Sequence, residues 1–429
     1  MTKRRFLFLQ GNSCYFFSHL GRALRDCGHG VMRINQCGGD RAFWPVGDAT
    51  TDFRGRLSEF GAFVGEFIDA NRITDLILYN DCRPAHRMAI KASRHSGVVV
   101  HIFEEGYLRP AWITLERGGL NGYTRLPDDP NWYRARARSL PPFRAPWFGE
   151  YGMKNRVLYD FRWQIGNYFW FFRYPHYRTH RPYPIWVEYA SWLTRLYKMR
   201  RGGEEADQIV ADLAASGRSY VLFPLQLDTD SQVRIHSPFG RLVPAIRAVI
   251  SDFARNAPLD MTLVIKNHPL DNGLVAFQRA AEQQAADLGV ADRVIYIDGG
   301  DLDMLIGHAR GVVNINSTVG LSALCAGAPV IALGKAVYDI AGLTHHGPLA
   351  TFWGDPARPD EALLKDFLAV LADCAMIPGS FYTEDGASVA ADHALKRILS
   401  AEDPLEGFHP GHRRFVSRIH GWDVVSDAV

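Results

Sequence analysis

Four polar clusters stand where apolar runs end: Phe103-Glu104-Glu105-Gly106, Gln226-Leu227-Asp228-Thr229-Asp230, Lys266-Asn267-His268-Pro269 and Asn316-Ser317-Thr318. In an α/β protein the carboxyl ends of the strands border the ligand crevice. Carboxylates, an imidazole and a hydroxyl-rich helix start at those places suit chemistry on an anionic, phosphate-bearing donor. Side chains alternate along a strand, so only one of Glu104 and Glu105 faces a crevice. Glu105 is the expected acid/base, with its pKa raised if its surroundings are dry; the alternative is a salt-bridged or capping pair. Pro269 disfavours α conformation at His268. A rigid imidazole beside Lys266 can donate to a phosphate oxygen and stabilise a leaving group, or be a structural histidine. Asn316, Ser317 and Thr318 can bind an anion with amides and hydroxyls together, or serve as ordinary caps. A carboxylate of the Gln226 to Asp230 loop can act as a nucleophile or orient a sugar, or be a plain loop acid. Gln10-Gly11-Asn12-Ser13 resembles a phosphate loop, but it lacks the P-loop lysine spacing and a GxGxxG pattern and gives no basis for a nucleotide reading.

The elements that must position these residues alternate at short spacing. The first part reads as strand, helix and strand in turn: Arg5 to Gln10, Phe16 to Asp26, Val31 to Asn35, a helix near Arg56 to Ala70, Asp75 to Tyr79, a helix from Pro84 to about His95, and Val98 to Phe103. A second series runs through a strand at Tyr220 to Leu225, a helix at Pro238 to Ala254, and a strand at Met261 to Lys266. It continues with a helix at Val275 to Leu288, strands at Val294 to Ile297, Gly311 to Ile315 and Pro329 to Leu333, and helices at Leu302 to Ala309 and Thr318 to Cys325. Such alternation predicts α/β architecture with parallel sheets covered on both faces. The expected domains are 1–200, 201–385, and a helical tail over 386–429 able to pack back across the junction.

Between the two series, from about Pro141 to Arg201, the apolar residues are aromatic, and Lys and Arg intersperse with few acids. Rings with cationic neighbours suit the headgroup layer of an anionic bilayer. A helical hairpin packed on the first domain is the other reading, and both can hold for different faces.

At 429 residues the chain has apolar content for two cores. Its net charge of +2 is too balanced for a nucleic-acid coat, so no nucleic-acid partner is expected. The six cysteines form no CxxC pair, and a reduced, metal-free cytoplasmic chain is the simplest expectation. No secretory leader and no membrane-spanning apolar run is apparent.

Taken in order, several stretches resemble the capsule polysaccharide biosynthesis and export proteins of the KpsS type, similar to β-Kdo transferases. They are Phe8-Leu9-Gln10-Gly11 with Phe16-Phe17, Ile34 through Asp40, Phe103 through Pro110 running to Thr114-Leu115-Glu116, Gln226 through Asp230, His268 through Asp271, and Asn316 through Leu324. The acid-acid-Gly and His-Pro motifs also resemble those of bacterial sialyltransferases. The resemblance implies a GT-B-type fold, two Rossmann-like doubly wound domains facing a central cleft. It implies a retaining transferase that moves Kdo from CMP-β-Kdo to a phosphatidylglycerol-type lipid, peripheral on the inner face of the cytoplasmic membrane, with capsule synthesis and export proteins as possible partners. By that resemblance His268 would contact the CMP phosphate, with Gln226, Lys266, Pro269, Asn316, Ser317 and Thr318 on the donor side. Asp230 would be the nucleophile, Asp228 being the open alternative, and Glu105 the acid/base. Gln10, Gly11, Asn12, Asp40 and Arg109 would lie on the acceptor side, and Lys266 and Arg109 could offset donor charge. Asp228-Thr229-Asp230 spells a metal-binding DxD, yet CMP-sugar enzymes of this kind are generally metal-independent, so neither metal nor cofactor is expected. Another CMP- or CDP-activated donor, such as CMP-sialic acid or a CDP-polyol, and a non-catalytic export scaffold are the alternatives.

Overall fold

The computed structural model describes residues 3–44, 49–146, 152–179, 183–409 and 416–419. Parts of the aromatic and basic segment, including residues 147–151 and 180–182, lie outside the described residues. The chain first forms β1 (Arg5–Phe8), β2 (Gly30–Asn35), β3 (Thr50–Asp52), β4 (Asp75–Tyr79), β5 (Val99–Glu105) and β6 (Trp112–Arg117). It then forms β7 (Tyr220–Pro224), β8 (Thr262–Lys266), β9 (Val294–Ile297), β10 (Gly311–Asn314) and β11 (Val330–Ala332), and ends its strands with β12 (Met376–Pro378).

Two units share these elements. Among the described residues the first takes 3–126, 139–179 and 368–409, and the second takes 127–138, 183–367 and 416–419. The chain therefore returns to the first unit at Leu368 rather than at 386, and Pro127–Arg138 belongs with the second. The helix Ile185–Ser216 runs unbroken for 32 residues in the second unit, so the aromatic and basic stretch is divided between units instead of forming one hairpin.

Each sheet has a five-strand parallel block in the same order. The second sheet reads β11-β10-β7-β8-β9, parallel at every described pair. The first reads β12-β6-β5-β4-β1-β2-β3, with β5 through β3 parallel. In both, the earliest strand of the block lies at its centre and the next two run to one side, which is the Rossmann arrangement. The expectation of an all-parallel first sheet fails at one edge, where β6 and β12 are antiparallel additions. The cause is the short β5–β6 connection, since a parallel crossover needs a dozen or more residues. The connection is tight: a Cβ on Gly106 would lie 2.3 Å from the Trp112 carbonyl oxygen, so the glycine serves backbone pairing.

Burial on both faces explains the nearly continuous apolar strands. In β1 alternate residues divide between two cores. Phe6 and Phe8 join an aromatic layer with Phe16, Phe17, Phe103 and Phe381, while Leu7 joins Ile34, Phe60, Leu76 and Leu78 on the other side. The aromatic side is covered partly by the returning helix Glu384–Leu399, through Ala390, Ala394 and Ile398. In the second unit the helix Leu242–Asn256 buries Leu242, Ala245, Ile246, Val249 and Phe253 against the sheet, the helical i, i+3, i+4 pattern. It starts at Leu242 rather than at Pro238 because the Asp228 carboxylate, 14 residues upstream, accepts the Leu242 N–H at 2.8 Å.

The helix Met153–Phe169 of the first unit lies against the short helix Gly38–Ala42 at backbone contact distance. A Cβ on Gly38 would stand 2.1 Å from the Gly166 carbonyl oxygen, and one on Gly39 2.2 Å from the Trp163 indole nitrogen. Gly39→Ala is expected to cost about 1–3 kcal/mol by overpacking. Gly203→Ala, in a helix with nothing within 4 Å of the new methyl, should instead stabilise by about 0.5–1 kcal/mol. Urea unfolding of both variants checks the opposite signs.

A buried acid gives the first unit a pH dependence. Glu116 on β6 accepts hydrogen bonds from the Tyr107 hydroxyl, at 2.8 Å, and from the Thr124 hydroxyl, and burial pushes its pKa up from 4.5 to about 7. An acid whose folded pKa is raised contributes stability that is complete below its unfolded pKa and is lost as pH rises through the folded value. Stability should fall between pH 4.5 and 7, on the order of 3 kcal/mol from this group. Denaturation of wild type and Glu116→Gln across that range should show the slope in wild type and a flatter curve in the variant.

Candidate functional site

Glu104 and Glu105 end β5, and the pleat sends them to separate partners. Glu104 accepts from the side-chain amides of Asn80, at 3.0 Å, and Asn121, at 2.6 Å. Glu105, 10 % exposed, pairs with Arg109 at 3.1 Å and with Arg156 at 2.9 Å. The Tyr382 hydroxyl donates to the same carboxylate at 3.1 Å, and the Asn12 amide donates to the Tyr382 oxygen at 2.9 Å. Burial, then the nearby Glu105 charge, push the Tyr382 phenol well above its usual pKa, so it stays protonated and donates. The structure thus brings together Asn12, Glu105 and Arg109. Donors ring the carboxylate, and any acid/base work shares it with two guanidiniums. Arg156 and Tyr382 join the cluster, and neither stands out as a site residue in the sequence. Arg156 is one of many cations in a basic stretch, and Tyr382 lies 277 residues from its partner.

Other acceptor-side residues are committed to the framework. Gln10, 4 % exposed, accepts from Arg83 at 2.9 Å, and the same guanidinium nitrogen donates to the Gly11 carbonyl at 3.1 Å. Asp40, 2 % exposed, accepts the Gln36 N–H at 2.8 Å and lies 3.6 Å from Arg33. Gly11, Asn12 and Asp40 line one recess with Arg33 and Trp163, with room for about one water and not for a sugar.

In the second unit the expected donor residues cluster at the carboxyl ends of β7, β8 and β10. These adjoin in the order β10-β7-β8, where the Rossmann connection reverses and ligands bind. Gln226 and Asn316 lock two strand ends together: the Gln226 amide donates to Asn316 Oδ1 at 3.1 Å, and Asn316 Nδ2 donates to the carbonyls of Gln232 and His236. Ser317 is the N-cap of Thr318–Cys325, accepting the Val319 N–H at 3.2 Å. Tyr338, buried, donates to Asn314 Oδ1 at 2.8 Å, which in turn accepts the Ser317 N–H at 3.0 Å. The helix start is therefore rigid, with its positive end at the edge of the sheet.

Beyond β8, the Leu270 N–H donates to His268 Nδ1 at 3.0 Å. That bond uses the Nδ1 lone pair and leaves the proton of a neutral ring on Nε2, fixing the tautomer as a donor. The loop is braced by Asn267, whose amide donates to Asp298 at 3.0 Å and whose Oδ1 accepts the His268 N–H at 2.9 Å. Arg195, 4 % exposed on the long helix, pairs with Asp298 through both terminal nitrogens and donates to the Asp271 carbonyl at 3.1 Å. The sequence marks Arg195 only as part of a basic stretch. Lys266 is 7 % exposed; burial lowers its pKa against the pull of Asp298 and Asp301. Pro269 is exposed. With strands spaced about 4.8 Å apart, the ends of β8 and β10 lie roughly 10 Å apart on either side of β7, a span suited to a phosphate-bearing nucleotide.

The two loop acids both cap helices. Asp228 accepts from Leu242 and lies 3.7 Å from Arg241, while Asp230 is the N-cap of Ser231–Arg234, accepting the Gln232 N–H at 2.9 Å.

Comparison with known proteins settles the lineage. Residues 74–382 match the model of the family described as "Capsule polysaccharide biosynthesis protein". The chain belongs to that family. The matched span runs from β4 to Tyr382 and contains Glu105, Arg156, the 226–230 loop, His268 and Ser317. The chain is 31% identical over 395 residues to the capsule polysaccharide export protein KpsS of Escherichia coli, covering 89% of this chain and 98% of that one. It is 32% identical over 384 residues to the capsule polysaccharide modification protein LipB of Neisseria meningitidis serogroup B, covering 88% and 91%. Among solved structures, the beta Kdo 2,7 transferase of Thermosulfurimonas dismutans KpsC aligns over 92% of this chain and 99% of its own, with 13% identity and a TM-score of 0.45. That likeness is loose, and the fold of this family member rests on its own strand order.

His268→Ala removes the oriented donor from the family member's second unit. A hydrogen bond to a charged group is worth about 1.5–3 kcal/mol, so under the donor-binding role proposed below for His268 calorimetric titration with cytidine monophosphate should show affinity reduced by at least about tenfold. Leu270→Ala, which keeps the backbone N–H, should bind as wild type does.

Proposed function

We propose that this capsule-family protein is a glycosyltransferase of GT-B type that transfers Kdo from CMP-β-Kdo to a phosphatidylglycerol-type lipid with retention, building the linker on which capsule polysaccharide grows. The observation that carries the reading is the pair of anion-directed features at the Rossmann switch point, an imidazole fixed as an Nε2–H donor and a rigid capped helix start. Membership of the capsule family and similarity to KpsS support the pathway, and the two Rossmann-like units supply the GT-B parts.

In this reading His268 donates to a phosphate oxygen of the donor as the bond from the sugar's anomeric carbon to that phosphate breaks, and CMP leaves with the electron pair. Ser317 and Thr318 hold the phosphate from the helix end, aided by the dipole. Retention results from two inversions. A carboxylate oxygen of Asp230 first bonds to the anomeric carbon, giving a glycosyl ester. The acceptor hydroxyl then displaces that carboxylate while Glu105 takes its proton. Arg109 and Arg156 hold Glu105 in place and offset the sugar's own carboxylate. The reading needs no metal ion. The enzyme would work peripherally at the inner face of the cytoplasmic membrane, where its lipid acceptor lies, beside other capsule synthesis and export proteins.

The test is incubation with CMP-Kdo generated in situ and a fluorescent phosphatidylglycerol analogue, with mass spectrometry seeking a product one Kdo heavier. Glu105→Gln and Asp230→Asn should each lower the rate at least about 100-fold, and Asp228→Asn much less. Product from CMP-sialic acid or a CDP-polyol but not from CMP-Kdo would replace the donor. Absence of transfer from every donor, with capsule production intact in Glu105→Gln cells, would favour an export scaffold.

A further inference from the structure

We propose that the outward face of the helix Met153–Phe169, continued through the 3-10 turn Phe171–Arg173, docks the protein on an anionic lipid surface. A surface helix normally turns polar residues outward. This one does the reverse: Val157 is 64 % exposed, Phe161 55 %, Tyr168 77 % and Phe169 66 %. At 100° per residue these positions fall on one side of the helix together with Leu158 and Ile165. The opposite side is fixed by buried Trp163 and Gly166, packed at Gly39 and Gly38, and by the Arg156 pair with Glu105. The helix therefore cannot roll to hide its apolar row. The adjoining turn extends the row with Phe171 and Phe172, also exposed. Single exposed apolar side chains need no explanation, but a contiguous row marks a binding surface.

Charge selects the occupant. Residues 152–179 hold five Lys and Arg and one acid, Asp160, in a chain whose net charge is only +2. Exposed Lys154 stands within the apolar row and exposed Arg162 lies nearby on the same segment, while Arg173, also exposed, is paired with Asp52. Aromatic rings with cations gain at the headgroup layer of an anionic bilayer, by apolar burial and by surface potential. A helix of 17 residues, about 25 Å long, lies in the interface plane. No described helix is long and apolar enough to cross a membrane. The docking rests on the transferase reading only for its purpose, delivery of the enzyme to a lipid acceptor.

Vesicle flotation tests it. Wild type should float with vesicles of phosphatidylglycerol and phosphatidylcholine at low salt, severalfold less at high salt, and hardly with phosphatidylcholine alone. Phe161→Ser/Phe169→Ser should reduce flotation at least tenfold, Lys154→Glu severalfold, and Leu259→Ser, at an 88 % exposed site in the second unit, not at all. The double variant should keep transfer to a water-soluble acceptor, which also reports that it folds, and lose transfer to vesicle-borne lipid. The proposal is overturned if wild type binds neither vesicle, if it binds both equally, if the double variant binds as wild type does, or if wild type sediments as a dimer that the double variant dissociates. Salt-sensitive flotation without transfer from any donor would uphold docking and sink the transferase reading.

Discussion

A nearly buried carboxylate must be paired, and in the first unit that requirement falls on Glu105. Partners reach it from different places in the chain, among them Arg109 just beyond β5, Arg156 on a helix some fifty residues on, and Tyr382 on the returning segment. One anion therefore ties the strand end, the aromatic helix and the tail together. With the Gly38–Gly166 contact, it sets the rotation of the helix about its axis. The apolar row faces outward because the other face is held by charge and by backbone contact. The carboxylate cluster and the exposed apolar row thus share a single constraint.

The second unit solves a different problem, holding neutral donors still at the end of a parallel sheet. Gln226, Asn314, Asn316 and Tyr338 spend their hydrogen bonds on one another and on the backbone, so the strand ends and the helix start form one connected polar layer. Arg195 and Asp298 do the same for the histidine loop through Asn267. Preorganised dipoles stabilise a developing charge without reorganising when it forms, which is the property a phosphate leaving group exploits. Lys266 and the imidazole add charge and a directed proton to that layer.

Much of this was legible in residue order. The Rossmann blocks came from short β-branched runs alternating with amphipathic helices, and the polar ends of β5, β7, β8 and β10 were visible as acids and amides terminating apolar runs. β3 and the antiparallel β6 and β12 were not, because three-residue strands such as Thr50–Asp52 and Met376–Pro378 carry no periodicity and pair only where a neighbouring strand offers an edge. Roles within motifs were also hidden. Asp40 and Gln10, expected on the acceptor side, lie buried among Arg33, Gln36 and Arg83, and Asp228 and Asp230, the two candidate nucleophiles, each cap a helix.

The sequence by itself determined the layered α/β character, the family, and which residue types stand at the strand ends, since these depend on local pattern and order along the chain. Only the tertiary structure decided the partners of Glu105, the tautomer of His268, and the direction in which the aromatic helix faces. Each of those depends on groups distant in sequence or on the geometry of one turn, and neither leaves a periodic trace in the order of residues.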